Sequence, residues 1–462
     1  MGGFMSFWVA GKYPHLVGSA SNFMGSSEFT VGPRGFPAEY RHEEMHGNYE
    51  GLRTRIVTGT QDFIRFYHAR MAAIWDFTRP FHETATFVSE HGTPHMGETL
   101  DFHMKAFADP LPRPNVWSHI DAYPDCSVWG SDVRSDRHQS GFTVLENVSR
   151  SGFASSVREW VPSGEVLQGV KLSIRTGKLY PPNQPQTVTK IRRRGGPVER
   201  VTVKADAEGR LHFELGSTLY QVGIGTGANL ALGEAFVRDG ELAIAGKPVH
   251  LQVRVYNRGT AHSMPASLHW ESQNPGVKFG DFTDRIPSIA AGTSMDVLLA
   301  FTVDDPTREV VKMFGVVGGQ RMPLEVPLLP DAPPAPAFRI AAGREFSVFQ
   351  HGVKLTKLEL GEGNGDGQAN PGETLAILVP DGEGWRAAEL FSNDPCVYLA
   401  KRASDDWSDY DHVGATAKIS LPMINPSCSA PWTIHLLGRV QWPHAPDHRV
   451  TYFKVEFPIV KR

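Results

Sequence analysis

Hydrophobic and polar positions change their period once along this chain, near residue 112. Before that point apolar residues recur at helical spacing between short strand-like runs. Residues 2–13 predict an apolar helix stopped at Pro14, residues 16–21 a short small-residue strand, and residues 36–52 a polar helix broken at Gly47. Residues 55–59 ("RIVTG") predict a buried strand. Residues 62–78 place Phe63, Phe66, Met71, Ile74 and Trp75 on one broad helical face, ended by Pro80. Residues 86–89 predict a further strand, and residues 97–108 a last helix before "DPLPRP". This alternation predicts a parallel sheet covered by helices on both faces.

Beyond it, short apolar runs alternate with turn clusters: "GFTVLENV", "VKLSIRT", "RVTVKA" and "LHFEL". The spacing predicts an antiparallel β-sandwich over 113–226. "VHLQVRVYNRG" and "SMDVLLAFTV" mark a second, Ig-like sandwich over 227–330. "PDAPPAP" makes 331–344 a stiff linker, and "TLAILV", "TAKISL" and "YFKVEFPIV" mark a third sandwich over 345–462. The expected class is multidomain α/β plus all-β, with a partial α/β unit in 1–112 followed by three β-sandwiches of Ig-like or fibronectin-like type.

Composition narrows the partners. The 462 residues suit several domains. A net charge of −4 gives no electrostatic case for nucleic acid. The basic run "KIRRR" at 190–194 leads into Gly195-Gly196-Pro197, as at a hairpin end. No apolar run approaches the roughly 18 residues of a bilayer span. "GIGTG" at 223–227 lacks a helix and a βαβ context, so it reads as a turn. The three cysteines form no CxxC pair. Cys396 and Cys428 either pair in an exported protein or stay free as buried thiols, and both readings stay open.

Candidate chemistry sits at strand ends. In "RIVTGTQDF", Asp62 follows the end of a strand, where α/β sites are built. "TFVSEHGTPHMGETL" offers His91 and His95 in the loop after the next strand. Taken singly, Asp62 could be a helix cap and either histidine a loop residue.

In chain order, after the opening "MGGFMSFWVAG", these residues resemble the C-terminal part of an α/β-hydrolase of the serine type. That family carries its nucleophile in G-x-S-x-G, commonly as G-x-S-M-G-G before an apolar helix. The resemblance covers about a quarter of the chain. It implies Asp62 as the acid and His95, directly before the last helix, as the base, with His91 as the alternative. It puts the nucleophilic serine immediately before Met1 and makes Met1 an oxyanion donor. No other G-x-S-x-G occurs. The expected function is the C-terminal part of an exported, extracellular or periplasmic serine hydrolase, esterase or peptidase-like. It would act on an ester or peptide, need no catalytic cofactor, and be inactive without that serine. An incomplete sheet also implies an open edge on strand 16–21 and lost cover over the first helix.

The alternative is a non-catalytic binding or structural protein whose sandwiches engage a polysaccharide or a protein. Trp117, Trp129, Trp160 and Trp270 are its candidate sugar platform, against a core role for each.

"GEGNGDGQANPGETLAILV" carries a second kind of chemistry. Glu362, Asn364, Asp366, Gln368 (through its backbone C=O), Asn370 and Glu373 fall at positions 1, 3, 5, 7, 9 and 12 of an EF-hand-type calcium loop, with Gly367 at position 6. Strands flank the loop, and Glu stands where Asp is usual. A metal-free Gly/Asn turn is the plain alternative. The stretch resembles "GNGDG…NPGE" loops in β-sandwich modules of exported bacterial proteins, which implies a structural calcium.

Overall fold

The computed structural model describes the chain except residues 1, 79–80, 162–163, 165, 194, 239–242, 273, 281–284, 305–309, 319, 329–336, 343–344, 351–352, 360, 381–386, 393, 395, 400–410, 414–415, 419–421, 426–427, 429, 442–449 and 461–462. The linker "PDAPPAP" and Met1 therefore lie outside the described residues.

The first unit runs α1 (Gly2–Lys12), β1 (Ser19–Phe23), β2 (Glu28–Val31), β3 (Ala38–Arg41), β4 (Arg53–Gly59), α2 (Arg65–Thr78), β5 (His82–Phe87) and α3 (Met96–Ala108). Strands β1, β4 and β5 make a parallel sheet in the order β1-β4-β5, with Ser21 beside Arg55 and Ile56 beside Thr84. Central β4 buries Thr54 through Val57 without alternation, as a strand covered on both faces does. Odd and even positions still face different helices. Ile56 joins Phe4 and Phe7 of α1 and Trp75 of α2 in one core, while Arg55 meets Thr99 of α3.

The helix expected over 36–52 is not there. Ala38 and Tyr40 are buried and Glu39 is exposed, so the period is two and β3 closes a hairpin on β2. A short 3-10 turn, His46–Tyr49, follows. Pro37 and the Gly32 and Gly35 turn residues favour the hairpin over a helix.

Beneath α1 lies an aromatic core. Trp75 stacks on Phe7 at 4.7 Å between ring centroids, and its Nε1 donates to the His42 carbonyl at 3.2 Å. His42 is buried and bonds the Phe4 carbonyl through Nε2. Burial depresses its pKa to about 3. The unfolded chain therefore binds a proton that the folded chain refuses between about pH 6.5 and 3. Stability of this unit is expected to fall as pH drops through that window. Melting midpoints against pH check this, with His42→Gln flattening the slope.

The first sandwich begins with β6 (Trp117–Asp121), β7 (Asp125–Val128) and β8 (Ser131–Ser135). β6 is the edge of a six-stranded sheet, and β7 and β8 belong to a facing four-stranded sheet. Leu172, Val188 and Val222 are fully buried between them. Ala122, Phe142 and Val144 extend the α1 core, so this sandwich covers part of the first unit. A second sandwich packs a four-stranded sheet holding Val249–Asn257 against a three-stranded one holding Val310–Val317. Its core is centred on Val253, Leu268 and Leu299. The third places Leu375, Ile377, Leu436 and Val455 in one core, and there Cys396 and Cys428 form a disulfide. The chain is thus mostly β, in sandwich-type sheets behind one small α/β unit.

Candidate functional site

The loops after β1, β4 and β5 converge at the carboxyl ends of the parallel strands, and close backbone contacts hold them together. A Cβ on Gly59, the last residue of β4, would stand 2.3 Å from the Ser89 carbonyl oxygen and 2.7 Å from Met24 Cε. A Cβ on Gly25 would meet the Phe4 nitrogen at 2.5 Å, so the α1 start sits directly on the loop after β1. Gly59→Ala is expected to cost about 1–3 kcal/mol, because the backbone on the other side must move. A urea midpoint that does not shift would contradict that packing.

Asp62 lies in the turn after β4 and is fully buried. Its Oδ1 accepts the Ile64 N–H at 3.1 Å and the His91 Nδ1–H at 3.1 Å. His91 is half-exposed, and Phe63 lies against its ring at 4.9 Å. Because Nδ1 faces a carboxylate, it is the donor, and Nε2 is left as the basic nitrogen. Asp62 Oδ2 is buried with no hydrogen-bond partner. His68 Nδ1 is 3.9 Å away from it. His68 Nε2 donates to the Gly25 carbonyl at 3.0 Å, so its Nδ1 is the deprotonated nitrogen and offers Oδ2 nothing. Burial holds His68 below the usual imidazole range despite Asp62.

His95 is placed elsewhere. It caps α3 at a φ of 53°, stacks on Phe87 at 4.0 Å and pairs through Nδ1 with Glu98 at 3.0 Å. The histidine beside Asp62 is therefore His91, the alternative, and not His95. Adjacency to the helix favoured His95 in the sequence. The loop instead turns at His91, where Gly92 N–H reaches Met24 Sδ at 3.2 Å.

Two surfaces of the unit are bare. No described strand pairs with the outer edge of β1. Helix α3 turns Leu100, Met104 and Phe107 outward, with Phe107 85% exposed. Its other side holds His103, whose two ring nitrogens meet the Ser19 and Ser21 hydroxyls at 2.8 and 2.9 Å.

The 362–373 loop folds around a carboxylate. Glu373 is buried, and it accepts the Asn364 N–H at 2.9 Å and the Asn370 N–H at 3.1 Å. Asp366 accepts from the Asn364 side chain at 2.9 Å and from the Gln368 N–H at 2.8 Å. Gly367 has a φ of +77°, as the sharp turn requires, and a Cβ on Gly363 would stand 2.7 Å from Glu373 Oε1. The side chain of Glu362 lies outside the described residues. Of the candidate tryptophans, Trp117 is buried in the first sandwich core, with Trp129 packed against that core, and Trp270 is buried in the second.

No family model and no curated protein matches this chain. Among solved structures it resembles a chimeric titin Z1Z2 protein carrying a peptide from decorin, at 8% identity and a TM-score of 0.15, over 52% of this chain and 100% of that one. It also resembles domains 4–9 of the surface layer protein SbsC, at 9% identity and a TM-score of 0.17, over 69% and 44%. A third is trypsin-activated alpha-2-macroglobulin from Escherichia coli, at 13% identity and a TM-score of 0.14, over 71% and 26%. Overlaps of this size carry no assignment, so the β-sandwich class rests on the sheets themselves. Among the described residues, no helix is long and apolar enough to cross a membrane.

Proposed function

We propose that residues 2–108 are the later part of a serine acyl-hydrolase unit, in which Asp62 is the acid and His91 the base. The observation that carries this is the buried Asp62 carboxylate holding His91 Nδ1 at 3.1 Å, at the ends of adjacent parallel strands. Such a pair fixes the imidazole tautomer and stabilises its protonated form, leaving Nε2 to take a proton from a hydroxyl. The nucleophile this reading requires is a serine directly before Met1, on the turn entering α1. The bare β1 edge and the outward apolar side of α3 support it, since both are surfaces that a larger sheet and a further helix would cover. The substrate class is an ester or peptide, and no metal is needed for the step. The sandwiches would be accessory modules, and the Cys396–Cys428 disulfide favours an exported protein.

The reading is tested on the chain extended by the reading frame that precedes the Met1 codon. A G-x-S before Met1 is expected, with hydrolysis of short acyl esters abolished by His91→Ala and kept by His95→Gln. A frame encoding no serine there, or hydrolysis indifferent to His91→Ala, would overturn it.

The 362–373 loop is proposed as a structural calcium site. Its donor set is all oxygen, as a hard cation prefers. Asp366 and Glu373 would supply the charge, Glu362 a further carboxylate, Asn364 and Asn370 amide oxygens, and Gln368 its carbonyl. Calorimetric titration with Ca²⁺ is expected to give one site, lost in Asp366→Ala, and a raised melting midpoint. No heat and no shift would discard it.

A further inference from the structure

A second cluster lies at the junction of α1 and the first sandwich, away from Asp62. His119 and Asp121 occupy alternate positions of β6 and so share its buried face, and Cys126 follows on β7. One donor atom from each, an imidazole nitrogen, a carboxylate oxygen and the thiol sulfur, lies within 4.8 Å of the other two. His119 Nε2 is 3.4 Å from Asp121 Oδ2. The other ring nitrogen, Nδ1, is buried without a partner, although His119 is only 1% exposed. Asp121 Oδ1 also accepts the Tyr123 N–H at 2.8 Å. A pocket of about 350 Å³ opens onto Asp121 and Cys126, with Lys12, Asp125, Asp132 and Arg134 at its walls.

We propose that His119, Asp121 and Cys126 form a binding site for a divalent transition metal of the Zn²⁺ or Co²⁺ kind, with its fourth position open to this pocket. Mixed nitrogen, sulfur and oxygen donors suit such ions and not calcium or magnesium. Tetrahedral bonds of about 2.0–2.3 Å put donor atoms roughly 3.3–3.8 Å apart, a spacing that His119 Nε2 and Asp121 Oδ2 already have at 3.4 Å. Burial and the Asp121 charge push the Cys126 thiol up, so it stays protonated until a cation arrives; metal binding releases that proton as the sulfur–metal bond forms.

One group competes. The Lys12 ammonium holds both Asp121 oxygens, at 2.8 and 2.9 Å. It also lies 4.1 Å from the centre of the Tyr123 ring, a second resting place that it keeps when the metal takes Asp121. The site is therefore a switch between a lysine and a metal on one carboxylate.

Cobalt titration of the whole chain decides the matter, because a thiolate bound to Co²⁺ gives a charge-transfer absorption. Cys126 is its single source, since the other two cysteines are joined in the disulfide. One equivalent is expected to give this absorption together with tetrahedral d–d bands. Cys126→Ser should abolish the charge-transfer band, and Lys12→Met should tighten binding at least about tenfold by removing the competing charge. If Lys12→Met is destabilised, Zn²⁺ should restore its melting midpoint. No thiolate band in either the wild type or Lys12→Met, with circular dichroism showing both folded, would overturn the proposal. So would a band that survives Cys126→Ser.

Discussion

On the proposed hydrolase reading, Asp62→Asn is expected to lower kcat for ester hydrolysis by about 10⁴-fold in a chain extended to carry the required serine, with the fold intact. The size follows from what Oδ1 does. It accepts the His91 Nδ1–H and so keeps Nε2 free of its proton. An asparagine turned to donate toward Nδ1 would favour the opposite tautomer, in which Nε2 carries the proton and cannot act as base. KM should change little, because Asp62 is buried beneath the histidine and does not reach a substrate. His95→Gln is the matched control. Its partner is Glu98 at the solvent-exposed start of α3, so activity should stay near that of the parent. An Asp62→Asn variant with undiminished kcat would remove the catalytic reading.

Trp75→Ala is expected to destabilise the first unit by about 3–5 kcal/mol. Trp75 is fully buried and lies between Phe7 of α1, at 4.7 Å, and Tyr49, at 4.3 Å. The substitution removes an indole that three elements share, and it leaves the His42 carbonyl without its Nε1 donor. Among the described residues the unit has three parallel strands, so little other core can absorb the cavity. The sandwich residues Ala122, Phe142 and Val144 border the same core. The loss should therefore appear as an earlier first transition in calorimetry, with the C-terminal sandwich unaffected. A first transition that does not move would place the stability of this unit elsewhere.

Much of this arrangement was legible in the chain. Central β4 carries the run "RIVTG" and the change of period near residue 112 marks the sandwiches, whereas β5 holds His82 and Glu83 and starts four residues before the strand expected at 86–89. The place of Asp62 was readable because it stands three residues past the end of "RIVTG", and a strand end in an α/β unit is where a side chain meets its neighbours' loops. The histidine was not. His91 and His95 are four residues apart in one loop, and their partners depend on where that loop turns. That turn is set by the Gly92 and Met24 contact and by the tight Gly59 approach to Ser89, which are tertiary facts. Residues 36–52 misled for a related reason. Their polar stretch fits a helix face or a hairpin equally, and burial of Ala38 and Tyr40 decides for the hairpin. The His119, Asp121 and Cys126 cluster left only a weak trace, a His-x-Asp pair on one strand face. Nothing in the chain ties Cys126 to that face; only the fold brings its sulfur within 4.8 Å of the His119 and Asp121 donor atoms.

The central claim is that Asp62 holds His91 in one tautomer. Two-bond ¹H–¹⁵N spectra of the histidine rings report which nitrogen carries the proton, and they can be recorded on this chain as it stands. The account predicts that the neutral His91 ring carries its proton on Nδ1, and that this preference disappears in Asp62→Asn but persists in His95→Gln. A His91 ring protonated on Nε2 in the wild type, or a spectrum unchanged by Asp62→Asn, would contradict it.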